Sequence, residues 1–216
     1  MESRCRILDA AARVYAEFGF RGATTRRIAT AAGVNEVTLF RAFGSKEALI
    51  EAALRHHARS GATSAGALPE RPVDPERELT AWATAQLDEL RQHRSLIRKT
   101  MSEIEERPDL APTVTAGWAT CDAVLHEYLG RLRAHGFVDP AAEGELLAGG
   151  AMLMAALFSD AMGRDMLPAL FPQPEHDAPA VYVRLFLRAV ACRGTAADAP
   201  AALAASGDYP EPSTPR

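Results

Sequence analysis

Residues 31–49 read AAGVNEVTLFRAFGSKEAL, and how this stretch folds decides the reading of the whole chain. Gly33 suits the positive φ of a sharp corner between two helices, because it has no Cβ to clash there. Asn35 then offers an N-cap, and Val37, Leu39 and Phe40 supply the apolar residues of a helix of barely two turns. Gly44 stops it. Ser45-Lys46-Glu47-Ala48 opens the next helix, with Ser45 as N-cap and Glu47 in the positively polarised first turn.

Towards the N-terminus, Ile7, Leu8, Ala11, Val14, Tyr15 and Phe18 recur at helical spacing, with Arg4, Arg6, Asp9, Arg13 and Glu17 between them. This predicts an amphipathic helix ended by Gly19. After a connector at residues 20–23, Thr24 and Thr25 offer hydroxyl caps to a second helix, Arg26 to Ala32, with Ile28 and Ala29 inward. Three short helices with a glycine corner between the second and third are the sequence form of a helix-turn-helix. A helix about 10–12 Å wide fits the major groove of B-DNA and needs polar residues only on its free face. The opposite face must be anchored; Leu39 and Phe43 are expected to bury against Ile28, Val34, Val14 and Phe18.

Towards the C-terminus the fourth helix is expected to run to about Ser60, and residues 61–73, rich in Gly, Pro and Ser, read as a loop. Helical patterning resumes from Pro75 to about Arg91, then through Leu96 to Ile104, and from Pro112 to Ala134. Two markedly apolar helices follow, at about 141–163 and 180–192. No β alternation, hairpin signal or internal repeat is present. The expected architecture is all-α. Residues 1–50 form a helix-turn-helix DNA-binding domain and 51–193 a helical effector-binding and dimerisation domain. Residues 194–216, mostly Ala, Pro, Ser and Gly, are expected to be a disordered tail.

Bulk properties narrow the function. The chain has 216 residues and a net charge of −4, but the charge is divided. Residues 1–60 carry 10 basic against 6 acidic side chains, and the remainder 14 against 22. The N-terminal part suits a polyanion; the C-terminal part does not. The most apolar window, 146–158, reads as too short to cross a bilayer, so no membrane role is expected. The charged N-terminus, MESRCRILDA, lacks the apolar core of a signal peptide. Cys5, Cys121 and Cys192 are scattered and odd in number, which fits a reducing cytoplasm better than a disulfide framework or a zinc site.

Thr25, Ile28-Ala29 and Ala32-Gly33-Val34, followed by Thr38-Leu39-Phe40 and Phe43-Gly44-Ser45-Lys46-Glu47-Ala48-Leu49, resemble the DNA-binding domain of the tetracycline-repressor (TetR) family. The resemblance covers roughly residues 5–53; the remainder is similar to the family in layout only. It implies a transcriptional regulator, most often a repressor. A homodimer would bind a near-palindromic double-stranded DNA operator and answer to a small-molecule effector. It also implies that Thr25 is a phosphate-contacting cap and Lys46 a phosphate-contacting lysine. Phe40 stands where the family most often carries a tyrosine whose hydroxyl reaches a phosphate, so that bond has no donor here. Val37 occupies a position where a small residue is common, and Glu36 puts an acid on the reading helix, able to accept from cytosine N4.

Of the other candidates, Arg26, Arg27 and Arg41 either pair with phosphate or guanine or form ordinary solvated surface. Asn35 is a cap with a possible DNA contact, and Thr38 either meets a thymine methyl or faces solvent. Trp82, Met101, Trp118, His126, Met152, Met154 and Phe158 either line an apolar effector pocket or are plain core. Gly149-Gly150-Ala151 lets a helix approach closely, either in a four-helix dimer bundle or in an internal core. No cofactor or metal site is expected: His56 and His57 are adjacent and their rings diverge, and no H-E-x-x-H occurs. The competing readings are a small helical enzyme, for which no convergent acid–base or metal cluster is found, and a helical protein-binding adaptor.

Overall fold

In the computed structural model, which describes residues 2–64, 66–138, 143–190 and 192, the first four helices pack as a trihelical head seated on a fourth rod. They are α1 (Glu2–Gly22), α2 (Thr25–Ala32), α3 (Glu36–Phe43) and α4 (Lys46–Ser64). Ile7, Leu8, Ala11, Val14 and Tyr15 on α1 meet Ile28 and Ala29 on α2, Leu39 on α3 and Leu49, Ile50 and Ala53 on α4. Each cap comes from a nearby side chain. Thr24 accepts from the Arg27 amide at 3.3 Å, Asn35 from the Val37 amide at 3.0 Å, and Ser45 from the Ala48 amide at 3.1 Å. These bonds satisfy donors that a helix start leaves unpaired.

Gly33 adopts φ 64°, ψ 37°, and the amides of Gly33 and Val34 return to the carbonyls of Thr30 and Ala29. A Cβ there would find open space, so it is the left-handed backbone alone that favours glycine.

The body is built from α5 (Pro75–Gln92), α6 (Arg94–Glu103), α7 (Ala111–Ala134), α8 (Glu143–Gly163) and α9 (Ala178–Ala189). Its core joins Leu79, Trp82 and Leu87 of α5 to Leu125, Tyr128, Leu129 and Leu132 of α7, Leu153 and Leu157 of α8, and Val183 and Phe186 of α9. Among the described residues no strand forms; one isolated bridge pairs Val138 with Cys192. Head and body share apolar contacts: α4 packs on both α1 and α7, α1 packs on α6, and Leu96 and Leu110 complete the head's core.

Several expectations change. Phe18 is 41% exposed rather than core. The backbone breaks from helical geometry at Gly19 (φ 66°) before continuing to Gly22. Phe18 therefore sits at the edge of the head under the Arg27 guanidinium, 4.3 Å from the ring centroid. Val34 and Phe43 are only half-buried on the same core. The expected loop at 61–73 begins later, because α4 stays helical to Ser64.

The 20-residue stretch Gly144–Gly163, with mean hydropathy 1.5, is longer than the window read from sequence and is long and apolar enough to cross a bilayer. Half of it is buried inside the protein, where α8 packs on α5, α7 and α9, as a core helix would. Gly149 and Gly150 serve this internal packing. A Cβ at Gly149 would come within 2.8 Å of Val190, and one at Gly150 within 2.9 Å of Leu129. The expected tail at 194–216 lies outside the described residues.

Candidate nucleic-acid interface and effector cavity

Helix α3 has two faces. Leu39 is 2% exposed and anchors it, with Phe43 one turn on. Val37 and Phe40 are 54% and 50% exposed on the other side, where Thr38 and Arg41 are exposed too. Two large apolar side chains left in solvent on so short a helix need a reason, and an edge of duplex DNA would cover them. Glu36 is engaged: its Oε2 accepts the Thr25 hydroxyl at 2.8 Å, tying the start of α3 to the start of α2. That bond occupies Thr25 Oγ1. The first amides of α2 still point out of the helix start, a geometry that accepts phosphate.

The cationic candidates separate into free and engaged groups. Arg26 and Arg41 are exposed. Arg26 and Arg27 share an open hollow with Arg13 and Thr30 between the end of α1 and α2. Arg27 also donates to the Gly22 carbonyl at 3.0 Å. Lys46 is half-buried; its Nζ donates to the Phe20 carbonyl at 3.0 Å and lies 4.0 Å from the centroid of the Phe20 ring. Arg107 packs on the same ring at 3.9 Å, and Glu103 of α6 accepts the Phe20 amide at 3.0 Å. Phe20 is thereby clasped between head and body. The Phe20–Glu103–Arg107 clasp had no sequence signal, because Phe20 stands more than 80 residues from Glu103 and Arg107 and shares no local period with them.

A second feature lies in the body: a cavity of about 470 Å³ bounded by α4, α5, α6, α7 and α8. Of the candidates, Met101, Trp118, Met154 and Phe158 line it, and the Trp118 and Phe158 rings meet edge to face at 5.3 Å. Trp82 is buried in the body core and outside the lining, and His126 pairs instead with Asp122 at 3.1 Å. Met152 is 73% exposed.

His57, Gln86, Glu89 and His93 are lining residues that no sequence argument singled out for this purpose. Glu89 and His93 stand at i, i+4 and pair at 3.0 Å, a spacing that could have been read on its helix. The meeting of the His57 and His93 rings, with centroids 4.9 Å apart, depends on α4 crossing the α5–α6 corner. Burial first, and the neighbouring His93 second, push the His57 imidazole below its ordinary value, with Asp9 pulling the other way. Among the described residues no group of His, Cys, Asp and Glu is arranged to hold a metal.

A head that presents one short helix to solvent on an anchored base, above a helical body with a cavity between its helices, defines a helix-turn-helix DNA-binding regulator. Residues 7–53 match the family described as bacterial regulatory proteins, tetR family. The uncharacterized HTH-type transcriptional regulator YvkB of Bacillus subtilis is 31% identical over 140 residues, covering 65% of this chain and 72% of YvkB. The HTH-type transcriptional repressor AcnR of Corynebacterium efficiens is 43% identical over 58 residues, covering 27% of this chain and 31% of AcnR. The solved structure of GusR from Salmonella enterica superposes with a TM-score of 0.66 at 24% identity, covering 88% of this chain and 96% of that one. The chain belongs to the TetR family of transcriptional regulators.

Proposed function

We propose that the chain is a repressor that binds a near-palindromic operator as a homodimer and is released by a small molecule held in the body cavity. The observation that carries the reading is the two-faced α3, with Leu39 buried and Val37, Thr38, Phe40 and Arg41 turned to solvent. In this reading residues 1–50 are the reading head, residues 51–193 are the effector and dimer body, and the protein works in the cytoplasm, where its DNA is. Glu36, Val37, Thr38, Phe40 and Arg41 meet base edges and sugars; Arg26, Arg27, Asn35 and Lys46 meet the backbone, and Thr25 does so through its amide, its hydroxyl being given to Glu36. Leu147, Met152 and Leu185, each more than half exposed on α8 and α9, are the apolar surface that a second copy would cover.

The cavity can act on the head because α4 belongs to both. Its middle lines the cavity through Leu54, His57 and Ala58, and its first residue, Lys46, holds Phe20. A ligand that fits one tilt of α4 better than another shifts the dimer by no more than its difference in affinity for the two forms.

Selection of bound fragments from random DNA by the full chain tests the reading; recovery of no preferred sequence would end it. On the recovered operator, Arg41→Ala is expected to relax preference at one position per half-site and to cost about 1–3 kcal/mol. Uniform weakening across sequences would make Arg41 a backbone contact. Lys46→Ala is expected to lower the slope of log affinity against log salt by about one unit per half-site. An unchanged slope would mean that Lys46 serves Phe20 alone.

A further inference from the structure

The body cavity is apolar along most of its wall; Thr100, Thr113 and Thr115 add hydroxyls to it, and its titratable groups other than Cys121 are His57, Glu89 and His93. Leu90, Ile97, Met101, Trp118, Met154 and Phe158 make the wall; His57, Gln86, Glu89 and His93 stand where α4 crosses α5 and the α5–α6 corner. Two facts about that crossing bear on what would bind. Among the described lining residues Glu89 is the sole carboxylate, and no lysine or arginine is present. The His57 Nε2 atom is buried with no hydrogen-bond partner; it lies 3.4 Å from Asp9 Oδ1 without the geometry of a bond. Asp9 stands on α1 and does not line the cavity, so His57 Nε2 marks the border between the cavity and the head.

Charge decides between ligand classes. An anion entering this space would lose its hydration, find no lysine or arginine, and approach the Glu89 carboxylate, with the His93 imidazole already engaged by it at 3.0 Å. A cation would lose hydration too, but it would find in Glu89 a carboxylate whose partner is the His93 imidazole at 3.0 Å, a weaker claim on it than an ammonium makes, and the rings of Trp118 and Phe158 along the wall. We propose that the cavity takes an elongated lipophilic amine, its ammonium against Glu89 and its apolar body along Trp118 and Phe158. The proposal rests on the reading of the cavity as the effector site and names the class of effector it admits. His57, on the helix shared with the head, borders the ammonium end, so the charged end of the ligand is the part that reaches α4.

The test uses three probes of equal chain length, decylamine, decanol and decanoate, each kept below its micelle concentration. Binding to the full chain is followed by calorimetry and by tryptophan fluorescence. Decylamine is expected to bind at least tenfold more tightly than decanol, with decanoate weakest. Glu89→Gln is expected to bring decylamine down to the affinity of decanol while leaving decanol unchanged. The ranking of the three probes on the unaltered protein does not depend on that variant folding well. Equal binding of amine and alcohol would overturn the amine class but leave an apolar effector site. Tighter binding of decanoate, or an amine affinity untouched by Glu89→Gln, would overturn it as well. Absence of binding by all three would remove both the class and the site. Operator affinity measured with and without decylamine separates the two claims. Tight, Glu89-dependent binding with no change at the operator supports the amine class and sinks the effector reading instead.

Discussion

Asp160→Ala is expected to destabilise the body by about 3–5 kcal/mol, the cost typical of breaking a buried ion pair by removing one partner. Asp160 is fully buried on α8. Its Oδ1 accepts from Arg91 of α5 at 3.0 Å and from Arg164 at 2.9 Å, and its Oδ2 accepts from the Tyr182 hydroxyl of α9 at 2.8 Å. Removing the carboxylate takes the shared counter-ion from two guanidiniums whose side chains are only 18% and 15% exposed, leaving Arg91 with Glu175 at 3.2 Å and Arg164 with the Phe171 and Gln173 carbonyls. Three elements of the body lose their common polar anchor at once.

The pH dependence gives an independent check. Burial pushes the Asp160 carboxyl up, but the bonds from Arg164, Tyr182 and Arg91 outweigh it and hold the group below the usual carboxylate range. Burial, and then Asp160 itself, raise the Tyr182 hydroxyl to about 12. An acid whose folded value is depressed stabilises the fold fully above its unfolded value, about 3.9. It loses that contribution as pH falls through the folded value. Urea denaturation should therefore show the unaltered protein losing stability faster than Asp160→Asn between about pH 5 and pH 2. Parallel curves, or a loss below about 1 kcal/mol for Asp160→Ala, would mean that the network adds little over its desolvation cost.

Leu39→Ala is expected to cost about 2–5 kcal/mol and to abolish sequence-specific DNA binding. Helix α3 has eight residues, and Leu39 is its one fully buried side chain. A helix that short does not persist in water on its own propensity, so tertiary anchoring holds it. The truncation leaves a cavity facing the apolar residues of α1, α2 and α4. Operator binding should fall far more than tenfold, while the body cavity, built without α3, keeps its ligand affinity. Retained operator preference in Leu39→Ala would show that α3 is not the reading element.

The head was legible because its signals are local. Gly33, Asn35, Gly44 and Ser45 act within four residues of their own positions, through a left-handed backbone or a cap bond, and the helices begin and end where those residues stand. The 3.6-residue period of Ile7, Leu8, Ala11, Val14 and Tyr15 likewise placed the core face of α1 correctly. Phe18 fits the same period yet lies outside, because the break at Gly19 turns the end of α1 and Arg27 offers its ring a cation instead. Gly149 and Gly150 announced a close helix contact without saying with what; the neighbours are Val190 and Leu129 of the same chain.

Helices, caps and the amphipathic split of α3 follow from nearest neighbours, and a chain met as letters carries them in full. The polar end of the cavity, the Phe20 clasp and the Asp160 network do not. Each joins residues dozens of positions apart, and it is the crossing of α4 over α1, α5 and α7 that brings His57 to His93 and Lys46 to Phe20. Periodicity tells which face of a helix is buried, but the partner on that face depends on how the helices cross, and no local pattern encodes the crossing.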